Sequence, residues 1–434
     1  MDSFIQRKFV HEYFDWLRRG VWSHAKHPPL ERSSWKARFW LVFIGQHLSL
    51  LGSAVTQFVL IWWVTDKTAD ISALGVASMA ALLPQAVLGP VGGVLADRYC
   101  RQTIMMLSDV VSASGMLVII ALFQSDRVEL WHIYVMMALR SAMQAFQQPA
   151  AMASAAMLVP ASFLTRAVGL GQSLQGVTLI GAAPLGALVM SIMPIGWALG
   201  IDILTASLGC IPLLLFTIPQ IKLRPQERPG LLDQFMEGLR TVWANSGLRQ
   251  LFALMAATAL VIMPLFTLVP MLVKVHFGGG APQVALLESL AGIGMIIGGG
   301  IVSAVAPVRK IPWILGGFLG ACLLIAMASG VPRGFFWLAC IFWVSAAFAN
   351  ILANSALMAL LQSSVPNHVQ GRVISLLTTL LGLAAPLGLV VATPLGERIG
   401  TRWLFVTLGG LGATVVALGF LSSSIRTMEQ KARQ

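Results

Sequence analysis

The chain has 434 residues, of which 57% are hydrophobic and 11% are charged, and its formal net charge is +12. Because a soluble globular domain carries about a quarter charged residues, this composition excludes a water-soluble fold. The basic residues are spread over many loops and are not gathered with aromatic residues, so we expect no nucleic-acid partner.

The first 38 residues precede the apolar part of the chain. A helical projection of the first 20 residues places Ile5, Phe9 and Trp16 on one side and Lys8 and Arg18 on the other. This pattern predicts an amphipathic helix on the cytoplasmic leaflet, with its arginines toward anionic lipid headgroups. A disordered cytoplasmic extension over 1–38 is the alternative.

Twelve apolar stretches follow, each long enough to cross a hydrocarbon layer of about 30 Å as a helix. They cover 39–64, 71–95, 104–124, 131–157, 167–192 and 199–219, and then 248–274, 283–304, 312–330, 335–364, 373–394 and 402–423. We therefore predict an all-α membrane protein of twelve transmembrane helices, with six-helix bundles over 39–221 and 248–423.

The polar segment 222–247 separates the two sets of six helices. Pro225 and Pro229 should end the sixth helix, and LLDQFMEGLRTVW then predicts a short surface helix. About 22 Lys and Arg fall on the side of this linker and of both termini, against about six on the other side. By the positive-inside rule, the linker, the N-terminus and the tail 424–434 are predicted to be cytoplasmic.

The pentapeptide AAPLG occurs at 182–186 and again at 384–388. Upstream of the copies stand VPASFLTR and VPNHVQGR, which share a V-P-x5-R pattern and are predicted as loops between fourth and fifth helices. We interpret the repeat as an internal duplication that relates the two bundles by pseudo-symmetry. The prolines should kink their helices and the glycines should permit close packing. These residues are Pro184, Gly186, Pro386 and Gly388.

The loop GGVLADRYCRQTIMMLSD over 92–109 resembles the signature loop of the major facilitator superfamily. Its matching residues are Gly93, Asp97, Arg98 and Arg101, followed by Asp109. The resemblance implies that these residues form a cytoplasmic latch that joins the halves in the outward-facing state. A basic turn that only sets the topology is the alternative.

Further segments resemble the macrolide-efflux branch of that superfamily in order and spacing across about 38–424. They are GQHLSLLGSAVTQF, LRSAMQAFQQPA, GQSLQ, ESLAGIGMIIGG and QGRVISLL with the second AAPLG. This resemblance implies a proton-coupled exporter of amphipathic, macrolide-like drugs in a bacterial inner membrane. A siderophore, lysophospholipid or metabolite exporter on the same fold is the alternative.

Ionisable residues within predicted membrane helices are costly and usually face a cavity or the bundle interior. Glu288 is our first candidate for proton exchange and Asp202 is the second, with an outer-loop position as the alternative for Asp202. The third acid within the spans, Asp109 near the inner end of the third helix, is assigned to the latch instead. The position of Arg140 matches the buried arginine of drug exporters, which implies a link to proton transfer. Its alternative is a structural arginine paired with carbonyls or an acid.

Helices one, four, seven and ten line the cavity in the resembled family, so their polar residues are candidates for substrate contacts. They are Gln46, His47, Gln144, Gln147, Gln148, Asn350 and Asn354. Each of them can instead hydrogen-bond one helix to another.

The four cysteines show no metal-ligand spacing, and the chain lacks a phosphate-binding loop and a nucleophile with a paired base. We therefore expect no catalytic residues, no metal and no cofactor, and a membrane enzyme or receptor is the weaker alternative. The expected partners are an amphipathic small molecule, protons and membrane lipids, and we expect a monomer.

Overall fold

The computed structural model describes residues 34–218, 231–305, 309–422 and 424. Most of the predicted N-terminal extension and nearly all of the C-terminal tail lie outside this part of the chain. Within it every regular element is helical. We number the long membrane helices α1 to α12 and call Leu231–Ala244 the linker helix.

The first bundle contains six long helices. They are α1 Ser34–Thr68, α2 Ile71–Arg98, α3 Arg101–Gln124, α4 Leu130–Met157, α5 Ala161–Ile192 and α6 Gly200–Leu215, with the single turn Ile195–Ala198 before α6. The second bundle repeats this plan after the linker helix. Its helices are α7 Ser246–Thr267, α8 Ala281–Val305, α9 Lys310–Gly330, α10 Phe336–Ser364, α11 Asn367–Ile399 and α12 Thr401–Leu421.

Eleven of the helices in the described ranges are long and apolar enough to cross a membrane, and α4 is the exception. Helix α4 has 28 residues, but Arg140, Gln144, Gln147 and Gln148 make it more polar than the others. Many large apolar side chains on the outside of the bundles are exposed, among them Leu179 and Leu214. Such surfaces suit a hydrocarbon solvent, and the predicted all-α membrane fold is confirmed.

Two boundaries differ from the predictions. The V-P-x5-R segments are not loops, because α5 begins at Ala161 and α11 begins at Asn367, directly after their prolines. Proline has a fixed φ and no N–H to satisfy, so it suits a helix start, and the next residues continue as helix. The seventh helix ends at Thr267, before the predicted end at 274, and Val269–Met271 and the π turn Leu272–His276 follow.

The same pairs of helices pack together in both bundles. Helix α1 packs against α5 and α6, as α7 packs against α11 and α12, and α2 packs against α4, as α8 packs against α10.

The glycine of the duplicated pentapeptide has the same role in both bundles. A Cβ at Gly186 would lie 2.6 Å from the Phe58 ring of α1, and one at Gly388 would lie 2.2 Å from the Leu260 carbonyl oxygen of α7. Each glycine therefore allows the fifth helix of its bundle to approach the first.

Consecutive helices run in opposite directions, so the bundles have two ends. We call the end with the linker helix the linker face and the end where α1 stops at Thr68 the far face. The bundles meet through α2 with α11 and α5 with α8. On the far-face half of α2, a Cβ at Gly75 would lie 2.4 Å from Thr393 Oγ1 of α11. Five turns further along the same side of α2, a Cβ at Gly93 would meet nothing.

The second pair of interface helices separates in the same direction. A Cβ at Gly292 of α8 would lie 2.2 Å from Ile180 of α5, whereas one at Gly299, two turns nearer the linker face, would meet nothing. The bundles therefore touch at the far face and diverge toward the linker face.

Polar contacts join the bundles across the far face. Lys274 forms an ion pair with Asp66, and its Nζ lies 5.8 Å from the centre of the Trp62 ring. Ser72 of α2 donates a hydrogen bond to Glu397 of α11. We call these five residues the far-face clasp.

Candidate functional site

A cavity of about 530 Å³ lies in the linker-face half of the first bundle. Side chains of α1, α4 and α5 form most of its wall, with Gln85 of α2 and Met105 of α3. The far-face half of this bundle is instead filled by buried side chains such as Leu60, Met116 and Met137. The volume of the cavity falls in the range of about 300–1,000 Å³ that is typical of small-molecule sites.

Helical periodicity brings the lining residues together. Phe39, Phe43, Gln46 and Ser53 recur every three to seven residues on one side of α1, and all face the cavity. The His47 ring lies 4.2 Å from the Phe43 ring, and its Nδ1 lies 2.8 Å from the Phe43 carbonyl oxygen. The site therefore combines an aromatic surface with hydrogen-bonding groups.

Five of the seven predicted contact residues line this cavity: Gln46, His47, Gln144, Gln147 and Gln148. Gln46 also donates to the Gly209 carbonyl oxygen of α6 at 3.2 Å, so it joins two helices as well. Asn350 and Asn354 do not line it. The Asn354 Nδ2 donates to the Asn350 Oδ1 at 2.8 Å, within α10.

Three further glutamines that were not predicted also line the cavity: Gln85, Gln172 and Gln175. The signal was present in GQSLQ, which contains two of these glutamines, but the fifth helix was not expected to contribute. Among the described lining residues, seven are glutamines and none is Lys, Arg, Asp or Glu. The wall therefore offers neutral amide donors and acceptors rather than a fixed charge.

The predicted residues Arg140 and Asp202 meet in the interior of the first bundle. Their exposed fractions are 4% and 2%, and Arg140 Nη2 lies 3.5 Å from Asp202 Oδ1. Arg140 also donates to Thr56 Oγ1 at 2.7 Å and to the Ser53 carbonyl oxygen at 2.6 Å. Ser53 in turn donates its hydroxyl to Asp202 at 2.8 Å. Asp202 is thus a buried partner of Arg140, not an outer-loop residue.

Asp109 is also buried inside the first bundle. We expected it to belong to the signature loop. It lies eight residues beyond Arg101, about 12 Å along α3 and away from the signature loop. Its carboxylate accepts hydrogen bonds from Gln147, Ser49 and Cys210. The contacts of Asp109 are therefore with helices inside the bundle, and not with the signature loop to which it was assigned from the sequence.

The signature loop itself lies at the linker face. Arg101 donates to the carbonyl oxygens of Ala96 and Ala153, which ties the start of α3 to the ends of α2 and α4. Arg98 is exposed, and the side chain of Asp97 lies outside the described part of the structure. The latch role of these residues stays a prediction.

Glu288 lies apart from these groups, in the second turn of α8. It precedes Gly292 by four residues and therefore faces α5 of the other bundle. Within the described ranges, Glu288 makes no hydrogen bond and no ion pair, so no cation or donor holds its carboxylate.

Comparisons with known proteins agree with this architecture. The model of the Major Facilitator Superfamily matches residues 42–389. Macrolide efflux protein A of Streptococcus pyogenes is 30% identical over 406 residues, which cover 92% of this chain and 99% of the relative. Multidrug efflux pump Tap of Mycolicibacterium fortuitum is 24% identical over 379 residues, which cover 82% of this chain and 88% of the relative.

A solved structure has the same fold. A bacterial homologue of the human lysosomal transporter Spinster, in an inward-facing and unoccupied conformation, superposes with a TM-score of 0.66. It is 15% identical, and the match covers 93% of this chain and 98% of that one. The family match, the repeated six-helix bundles and the cavity lead to one conclusion: this chain is a multi-pass membrane transporter of the major facilitator superfamily.

Proposed function

We propose that this transporter exports amphipathic, macrolide-like small molecules from the bacterial cytoplasm in exchange for protons. The cavity carries the proposal, because its aromatic and amide wall suits a bulky neutral surface with many hydrogen-bonding groups. The similarity to efflux proteins across nearly the whole chain supports the direction of transport.

In this proposal the linker face is cytoplasmic, in agreement with the excess of Lys and Arg on that side. The structure then corresponds to the inward-facing state, in which the substrate enters the cavity from the cytoplasm. Rocking of the bundles closes the linker face and opens the far-face clasp, and the substrate leaves on the other side. If one net charge moves per cycle, each 100 mV supplies about 2.3 kcal/mol, or about a fiftyfold concentration ratio.

The alternative cargo, an anionic siderophore or a lysophospholipid, is less well supported. It predicts that Arg140 contacts the ligand, but Arg140 does not line the cavity and is already bound to Ser53, Thr56 and Asp202. An anionic headgroup would enter the cavity without a cation from the described lining residues. A cargo without an anionic group avoids that cost.

Efflux in a host that lacks its own pumps tests the proposal. Cells that express the protein should extrude macrolides or dyes, and an uncoupler should stop the extrusion. Siderophores are measured in parallel, because their extrusion alone would favour the alternative cargo. Absence of uncoupler-sensitive extrusion for every compound would remove the proposed function.

The same assay tests Glu288 as a proton-exchanging group. We expect Glu288→Gln to abolish uncoupler-sensitive efflux, because the neutral amide cannot release a proton when the interface opens to water. The matched control is Glu129→Gln, since Glu129 is an exposed acid at the start of α4 and should be dispensable. Unchanged efflux by a membrane-inserted Glu288→Gln variant would move the role to another acid.

Alternating access also predicts the effect of a crosslink at the far face. An ideal Cβ at Gly75 lies 3.3 Å from the Thr393 Cβ, close to the separation of about 3.5–4.5 Å in disulfides. A Gly75→Cys and Thr393→Cys double variant should therefore form a disulfide under mild oxidation and lose efflux. Reductant should restore efflux in the same sample, which serves as its own control. Full transport by the oxidised form would contradict the rocking mechanism.

A further inference from the structure

The buried acid Asp109 lies behind the wall of the cavity and is 5% exposed. Its Oδ1 accepts a hydrogen bond from Gln147 Nε2 at 2.7 Å and a longer one from Ser49 Oγ at 3.5 Å. Its Oδ2 accepts from Cys210 Sγ at 3.6 Å. The carboxylate therefore joins α1, α3, α4 and α6 at one point in the bundle.

All of these donors are neutral, and within the described residues Asp109 forms no ion pair. Asp202 differs, because protonation of its carboxylate would leave Arg140 buried without a counter-charge. A proton added to Asp109 leaves no such uncompensated cation. Of the two acids that are buried among the described side chains of the first bundle, Asp109 can therefore change its charge at the smaller electrostatic cost.

Two of the three donors to Asp109, Ser49 and Gln147, also line the cavity. Each of these two side chains can therefore contact both Asp109 and a molecule bound in the cavity. We infer that Asp109 is a proton-exchanging group of this transporter, and that its protonation changes the hydrogen-bonding character of the cavity wall through Gln147. This inference rests on the proposed proton-coupled transport.

The exchange follows from the chemistry of the two side chains. When Asp109 is ionised, it only accepts, so the Gln147 amide N–H points at it, as observed, and the amide oxygen is free to turn to the cavity. When Asp109 is protonated, its O–H becomes a donor, and the Gln147 oxygen is the matching acceptor. Rotation of the amide then presents N–H donors to the cavity in place of an acceptor.

Other ionisable groups surround Asp109, and any titration must be separated from theirs. On the helices that pack against Asp109, the nearest ionisable residues are Cys210 and Asp202 of α6, Arg140 of α4 and His47 of α1. Arg101 is the nearest one on α3 itself. Arg140 and Asp202 neutralise each other, and Cys210 is a thiol whose infrared absorption differs from that of a carboxyl group. A carboxyl-specific measurement therefore isolates the acids.

Infrared difference spectra of the purified full-length protein, recorded between acidic and alkaline buffer, test the inference. Every sample carries Glu288→Gln, because Glu288 is the other carboxyl group proposed to exchange a proton. In this background the C=O band of a protonated buried carboxyl group should be present, and it should be absent when Asp109→Asn is added. Asparagine keeps an acceptor for Gln147 and a similar volume. The control Glu129→Gln removes an exposed acid and should keep the band. A band that persists when Asp109→Asn is added to Glu288→Gln would overturn the inference.

Transport supplies a second measurement. Asp109→Asn should lower uncoupler-sensitive efflux of a macrolide probe by about tenfold, within the usual range for coupling between two sites, whereas the exposed-acid control Glu129→Gln should not. Unchanged efflux and an unchanged pH profile in Asp109→Asn would also overturn the inference. If the natural protein shows no such efflux, the proposed function fails. The infrared measurement still tests whether Asp109 gains and loses a proton.

A further variant covers a failure of Asp109→Asn to fold. Gln147→Met removes the shortest hydrogen bond to Asp109, so it should shift the frequency of the carboxyl band while Asp109 remains in place. An unshifted band in Gln147→Met would contradict the link between the acid and the cavity wall.

Discussion

Arg140→Met is expected to lower the free energy of unfolding by about 3–5 kcal/mol and to stop efflux. The substitution leaves the Asp202 carboxylate, which is 2% exposed, without its only ion-pair partner among the described residues. It also removes the donors to Thr56 and to the Ser53 carbonyl oxygen. Thermal unfolding in detergent and efflux in cells measure the two effects separately.

The double variant Arg140→Met with Asp202→Asn distinguishes structure from transport. Because both charges are removed together, no charge is left uncompensated, and we expect most of the lost stability to return. Efflux should remain lost if the pair takes part in proton transfer. If efflux returns with stability, Arg140 is a structural arginine only.

Gly388→Ala is expected to destabilise the second bundle by about 1–3 kcal/mol or more. The added Cβ would lie 2.2 Å from the Leu260 carbonyl oxygen and 2.4 Å from Pro264 Cγ, and neither backbone nor ring can move far. Helix α11 must therefore move away from α7. Thermal unfolding in detergent should show this loss, and efflux should fall because the helix lies at the interface that moves in the proposed transport cycle.

Two other glycines act as matched controls for Gly388. Gly382→Ala on the same helix meets nothing and should be neutral or slightly stabilising, because alanine favours helix more than glycine does. Gly186→Ala in the duplicated position meets the Phe58 ring first, which can turn, so its cost should be intermediate. Equal stability of all three variants would contradict the packing explanation.

Much of the architecture could be predicted because it depends on local properties of the chain. The length of each apolar stretch predicts a membrane helix, and the repeat AAPLG predicts related bundles. The helix in the linker followed from prolines and an amphipathic pattern, and it is observed as Leu231–Ala244. Gln144, Gln147 and Gln148 recur on one side of α4, and the structure places all three at the cavity.

The partners of the buried charged groups were decided by the tertiary structure. Arg140 and Asp202 are 62 residues apart, and Asp109 and Cys210 are 101 residues apart. The pattern of polar residues shows that a group lies within a membrane helix, but not which helix packs against it. Asp109 was therefore grouped with the nearby loop, although its contacts come from three other helices.

The sequence also could not predict which end of the transporter is open. A chain that alternates between two arrangements must encode both, so its residues alone do not select one. Only the packing distances show that Gly75 meets Thr393 while Gly93 on the same side of α2 faces open space. Twelve helices in two related bundles thus follow from local properties of the chain, whereas the groups that meet inside them and the end that is closed depend on packing between distant segments.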